Sequence, residues 1–109
     1  MSEKERNILE LIRRAAAKKI IYTPHALTQM SKPERLIRPS EIHSVLNEGD
    51  IIEDYPEDNR GHSCLILGFG NDKRPVHVVC SPKDEYLAII TAYLPDPEQW
   101  SEGFKRRKS

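Results

Sequence analysis

The sequence predicts an α+β domain: an antiparallel sheet of about four strands, with helices packed mainly on one face. Three observations predict it. Apolar residues recur at helical spacing in the first half of the chain, at Ile8, Leu11, Ile12 and Ala15 and again at Ile42, Val45 and Leu46. From residue 50 the period shortens to that of strands. Short turns then join three strand-like runs in succession, the pattern of an antiparallel meander. A chain of 109 residues has room for one core. The pattern predicts an N-terminal helix (1–19), a single α+β domain (20–104) and a basic C-terminal tail (105–109).

Each element has a local cause. Ser2 and Glu5 fit a capping box that opens a helix over 3–19, and Lys18 and Lys19 suit the negative end of its dipole. Ile20–Tyr22 is a β-branched and aromatic run, hence a strand. Thr23 caps a second helix with Pro24 at its first position, and Pro33 ends it. Ser40, after Pro39, is read as the cap of a third helix, and Gly49 as its left-handed C-terminal residue. Ile51–Tyr55, Ser63–Phe69, Val76–Ser81 and Tyr86–Leu94 read as strands, separated by turns at Pro56–Gly61, Gly70–Lys73 and Pro82–Glu85. Pro95 and Pro97 stop the last strand. Trp100 and Phe104, four apart, suit a short closing helix, and Lys105–Lys108 a frayed tail.

Strict alternation sorts the meander into two faces. Leu65, Leu67, Phe69, Val76, Val78, Leu87 and Ile89 form the large apolar face that helices should cover. Cys64, Ile66, Gly68, His77, Val79, Ala88, Ile90 and Ala92 form the other, a floor of small residues from which His77 projects. A bulge in any strand would invert its assignment.

Composition narrows the function. Seventeen basic residues balance seventeen acidic ones, so no global field draws nucleic acid or an anionic membrane. The charge is uneven, however: nine basic and four acidic groups in residues 1–40, seven acidic and no basic in 41–59, eight basic and six acidic in 60–109. The apolar runs are too short to span a membrane, and Met1–Arg14 lacks a signal-peptide stretch, so a cytoplasmic location is expected. Two cysteines, Cys64 and Cys80, are too few for a disulfide framework.

Four kinds of chemistry bear on the residue types present. His62-x-Cys64 and His77-x-x-Cys80 have the residue types of a zinc site, but His77 and Cys80 point oppositely in a strand, so no metal and no cofactor is expected. Neither cysteine opens a helix, and no nucleophile elbow is present. Gly68-Phe69-Gly70 is not followed by a helix and reads as a turn, not a phosphate loop. Metal-independent RNA cleavage needs a base for the 2′-hydroxyl, an acid for the leaving oxygen and cations for the phosphate. His25, His77, Thr91 and Tyr93 supply the first two types, and Arg35 and Arg38 the last.

These residues fall within an ordered series of short motifs. Tyr22-Thr23-Pro24-His25-Ala26 comes first, then Gly49-Asp50-Ile51-Ile52-Glu53-Asp54-Tyr55. Cys64–Gly68, Pro75-Val76-His77-Val78-Val79 and Ile89–Asp96 follow, and Trp100 closes the series. The series resembles the bacterial family called domain of unknown function 4258, over about residues 20–100. That resemblance implies a compact α+β domain of the kind found among toxin–antitoxin proteins, with RNA and a small antitoxin protein as expected partners. It also implies functional roles for His25, His77, Thr91 and Tyr93. The family's Arg-Met pair is here Gln29-Met30, and Ser31-Lys32-Pro33 precedes Arg35. The resulting expectation is a toxin-like domain acting on RNA by acid/base cleavage. The alternative is a non-catalytic protein-interaction module binding through a sheet face or edge strand.

Overall fold

A computed structural model describes residues 2–108. The chain runs α1 (Glu3–Lys18), β1 (Ile20–Tyr22), α2 (Pro24–Met30), α3 (Pro39–Glu48), β2 (Asp50–Tyr55), β3 (Ser63–Phe69), β4 (Pro75–Pro82), β5 (Leu87–Tyr93), β6 (Trp100–Ser101) and β7 (Arg106–Arg107). Strands β2 to β5 form the expected antiparallel meander. A fifth strand joins it: β1 lies parallel to β5 at the edge, giving the order β1-β5-β4-β3-β2.

The caps at α1 and α2 are those the sequence specifies. The Ser2 hydroxyl accepts from Glu5 N–H at 3.1 Å, and Glu5 accepts from Ser2 N–H at 3.0 Å. Thr23 accepts from Ala26 N–H at 3.0 Å, with Pro24 leading the helix. At α3 the cap is Arg38, not Ser40; Pro39 takes the first helical position, and Arg38 N–H donates to Glu41. Gly49 ends α3 in an extended conformation (φ −79°), not a left-handed one. It is glycine because a Cβ there would sit 2.5 Å from the Val45 carbonyl oxygen and 2.6 Å from that of Leu67.

One buried cluster joins Ile8, Leu9, Ile12 and Ala15 of α1, Ala26 and Met30 of α2, and Ile42, Val45 and Leu46 of α3 to the sheet. The N-terminal helix thus belongs to the same core as the domain that follows it. Leu9 replaces the expected Leu11, which stays 49% exposed. The sheet supplies Cys64 and Ile66 of β3, Val76, Val78 and Cys80 of β4, and Leu87, Ile89 and Ala92 of β5.

This overturns part of the face assignment. Val76, Val78, Leu87 and Ile89 stand where alternation puts them, but β3 has the opposite phase: Cys64 and Ile66 face the helices, while Leu65 and Leu67 pair with Val79 and His77 on the far side. In β5 a bulge falls at Ile90, between the pairs Cys80–Ile89 and Val79–Thr91. The extra residue shifts the phase, so Ala92 turns to the helices and Thr91 and Tyr93 to the far face. Gly68 shares the helix face, where a Cβ would stand 2.8 Å from the Val45 backbone. Gly68→Ala should therefore cost about 1–3 kcal/mol by forcing α3 off the sheet, read as a lowered urea midpoint with an unchanged slope.

The far face is covered by the C-terminal segment. Trp100 begins a two-residue strand rather than a helix; β6 pairs with β7, and Glu102, Gly103 and Phe104 turn with positive φ between them. The basic tail is accordingly anchored: Arg107 donates to both oxygens of Glu53 on β2, at 2.8 and 3.1 Å, and lies 4.7 Å from the Trp100 ring. Met1 and Ser109, the outermost residues of the two terminal segments read from the sequence, lie outside the described residues.

Candidate functional site

The β5 bulge builds the site. Thr23 N–H donates to the Ile89 carbonyl at 3.1 Å, and the Thr23 hydroxyl donates to that of Ile90 at 2.8 Å. Those two bonds hold the first turn of α2, and exposed His25 with it, against β5 where Thr91 emerges. Beyond Thr91, the chain through Tyr93, Asp96 and Trp100 forms the opposite wall.

The third wall is the segment after α2. Its turn is closed by Arg35 and Leu36 N–H donating to the Lys32 carbonyl, and buried Ile37 anchors it to the core. Arg74, just before β4, donates to the Arg35 and Leu36 carbonyls, each at 2.6 Å. Arg74 is itself gripped by Glu41 of α3, through Nε at 3.0 Å and Nη2 at 2.8 Å. Glu41 is 1% exposed and also accepts from Arg38 and Asn71 N–H. Burial alone would raise its carboxyl pKa, but the Arg74 bonds and these two N–H groups outweigh it, and the value lies below the ordinary one. Neither Glu41 nor Arg74 stood out in the sequence: each is an ordinary charged residue, and they meet across 33 residues.

The result is an open hollow of about 430 Å³ lined by His25, Gln29, Arg35, Thr91, Tyr93 and Trp100 among others. Four expected site residues, His25, Arg35, Thr91 and Tyr93, thus share one cavity, although the first and last are 68 positions apart in the chain. Arg38 does not line it; that residue caps α3.

His77 corrects the picture of a residue rising from an open floor. It is fully buried, beneath Tyr93 and Trp100, whose rings meet it edge-on at centroid distances of 5.2 and 4.5 Å. Its Nε2 lies 2.9 Å from the Phe104 carbonyl oxygen and its Nδ1 3.2 Å from the Tyr93 hydroxyl. A carbonyl can only accept, so Nε2 carries the proton. Burial holds the imidazole pKa below its usual value, against the opposing pull of the Phe104 carbonyl. In the neutral ring Nδ1 must then accept from the Tyr93 O–H. His77 therefore does not line the hollow. It orients Tyr93, leaving that oxygen's lone pairs for the cavity.

Fold and site together define a small α+β domain with an open, polar hollow between a helix start, a bulged strand and an arginine-bearing turn. The chain belongs to the family described as Domain of unknown function (DUF4258), which it matches over residues 22–94. That span contains His25, Arg35, His77, Thr91 and Tyr93, while the β6–β7 hairpin lies beyond it. No curated protein and no solved structure matches the chain. Among the described residues, no helix is long and apolar enough to cross a membrane.

Proposed function

We propose that the hollow binds the phosphodiester of single-stranded RNA and cleaves it without a metal, as a toxin-like ribonuclease would. The convergence of His25, Arg35, Thr91 and Tyr93 on one solvent-open cavity supports this reading. His25 takes the proton of the ribose 2′-hydroxyl, whose oxygen attacks phosphorus. Arg35 offers a two-pronged donor to the non-bridging oxygens, where negative charge grows in the transition state. Thr91 contributes a hydroxyl donor. Tyr93, its proton committed to His77, accepts from the 2′-hydroxyl of the neighbouring nucleotide and fixes the strand's position. The His25 imidazolium returns its proton to the departing 5′ oxygen, leaving a 2′,3′-cyclic phosphate. Asp96 brings a negative charge to the rim, but its carboxylate is tied to Glu98 N–H at 2.8 Å.

Purified protein incubated with a single-stranded RNA in the presence of a chelator should yield cyclic-phosphate ends. His25→Ala should lower that rate about 10²–10⁴-fold. The same change should move stability by less than about 0.5 kcal/mol, because the side chain is exposed. Intact RNA after long incubation removes the catalytic reading. RNA neither bound nor cleaved would favour the alternative, a non-catalytic protein-interaction module.

A further inference from the structure

We propose that Asp54, His62 and Cys64 form a binding site for a divalent transition ion of the zinc class, separate from the hollow. The carboxylate, imidazole and thiol ligand atoms all lie within 4.8 Å of one another. Topology explains the meeting. Asp54 near the end of β2 is the register partner of Cys64 on β3, so the two side chains share a face of the hairpin. His62 stands in the bend just before β3 and brings its ring back to Asp54. Its backbone is pinned, for the His62 carbonyl accepts from the Ser81 hydroxyl at 2.7 Å. Asp54 Oδ1 is the hub: it lies 2.5 Å from His62 Nε2 and accepts from Cys64 Sγ at 3.3 Å.

The donor set selects the ion. A thiolate with an imidazole and a carboxylate suits zinc and its borderline-soft neighbours, whereas magnesium and calcium call for oxygen ligands. Tetrahedral ligands at zinc–ligand lengths of about 2.0–2.3 Å stand about 3.3–3.8 Å apart. The Asp54–Cys64 separation already fits, and the Asp54–His62 pair needs to open by about 1 Å. Access is asymmetric: Cys64 is buried, while the His62 and Asp54 side chains are 38% and 28% exposed. An ion therefore enters from solvent onto a buried thiol, which releases its proton to water. Burial and the adjacent Asp54 carboxylate push the Cys64 thiol pKa up, so the ion has to displace that proton as it binds. Cys80 lies opposite Cys64 on β4 but falls outside the three-residue group, so the fourth position is left to water.

The test is cobalt(II) titration of untagged, reduced protein, followed by the thiolate-to-cobalt charge-transfer band. One equivalent should produce the band in the wild type, Cys80→Ser and His25→Ala. Cys64→Ser should abolish it. Because Cys64→Ser alters a buried position, the exposed His62→Gln is the second probe, and it should weaken cobalt binding at least tenfold. Absence of the band in the wild type, its survival in Cys64→Ser, or an unchanged affinity in His62→Gln would each overturn the proposal. The site shares no residue with the hollow, so failure here leaves the RNA reading standing.

Discussion

Arg74→Leu should destabilise the protein by about 3–5 kcal/mol, the cost of leaving a buried carboxylate without its partner. The asymmetry of the pair sets the size. Arg74 is 29% exposed at its side chain, so it could find water if Glu41 were removed; Glu41, at 1%, could not. Two carbonyls, those of Arg35 and Leu36, lose their donors as well. Urea unfolding at pH 7 measures the loss. Glu41→Gln should be the milder change, because a neutral amide does not strand a charge. The pair also has a pH signature. With the folded pKa of Glu41 below the usual carboxylate value of 4.5, its stabilisation is present above that pH and disappears as pH falls through the folded value. If RNA is cleaved in the hollow, Arg74→Leu should also slow cleavage in whatever fraction stays folded, since Arg35 rides on the turn that Arg74 holds. An Arg74→Leu protein of unchanged stability would show that the clamp is not what fixes that turn.

What could be read from the sequence divides by range. The Ser2–Glu5 and Thr23–Pro24 caps were legible because a cap is decided within four residues. The meander was legible from period and turns. The phase of its faces was not, for two reasons that act at a distance. The bulge at Ile90 is where Thr23, far back in the chain, bonds the Ile89 and Ile90 carbonyls, and Gly68 faces inward where the backbone of α3 leaves no room for a Cβ. The parallel fifth strand depends on β5, far along the chain. Of the site, the ionisable residues of the hollow stood out as residue types. Arg74, Glu41 and Asp54 did not, since each takes its meaning from a partner on another element. His77 looked open because the strip that seals it is a hairpin of two-residue strands, too short for alternation to register, with Gly103 its one turn glycine.

That seal gives the fold an acid-side weakness, which His77→Gln should remove. The folded His77 pKa is depressed by burial, while the unfolded chain titrates near the ordinary 6.5. Between those two values the unfolded state binds the extra proton, so stability rises with pH. The contribution is complete above about pH 6.5 and is lost as pH falls from there through the folded value. Within that window His77 should add a slope of up to about 1.4 kcal/mol per pH unit. In His77→Gln that contribution should be gone, leaving the slope that carboxylates such as Glu41 give at lower pH. At pH 8 that variant should be less stable by about 1–3 kcal/mol, because the amide cannot serve the Phe104 carbonyl and the Tyr93 hydroxyl with the same geometry. The pH dependence of urea midpoints for the two proteins separates the effects: an offset reports the lost hydrogen bonds, a change of slope the titration. Trp100 packs edge-on against the ring and offers a local probe: in the folded wild type its fluorescence should hold steady across that window and change only at its acid end, where the buried imidazole itself takes the proton, and in His77→Gln that step should be absent. Equal slopes in both proteins would mean that the proton enters elsewhere and that the hairpin over His77 opens before the imidazole is charged.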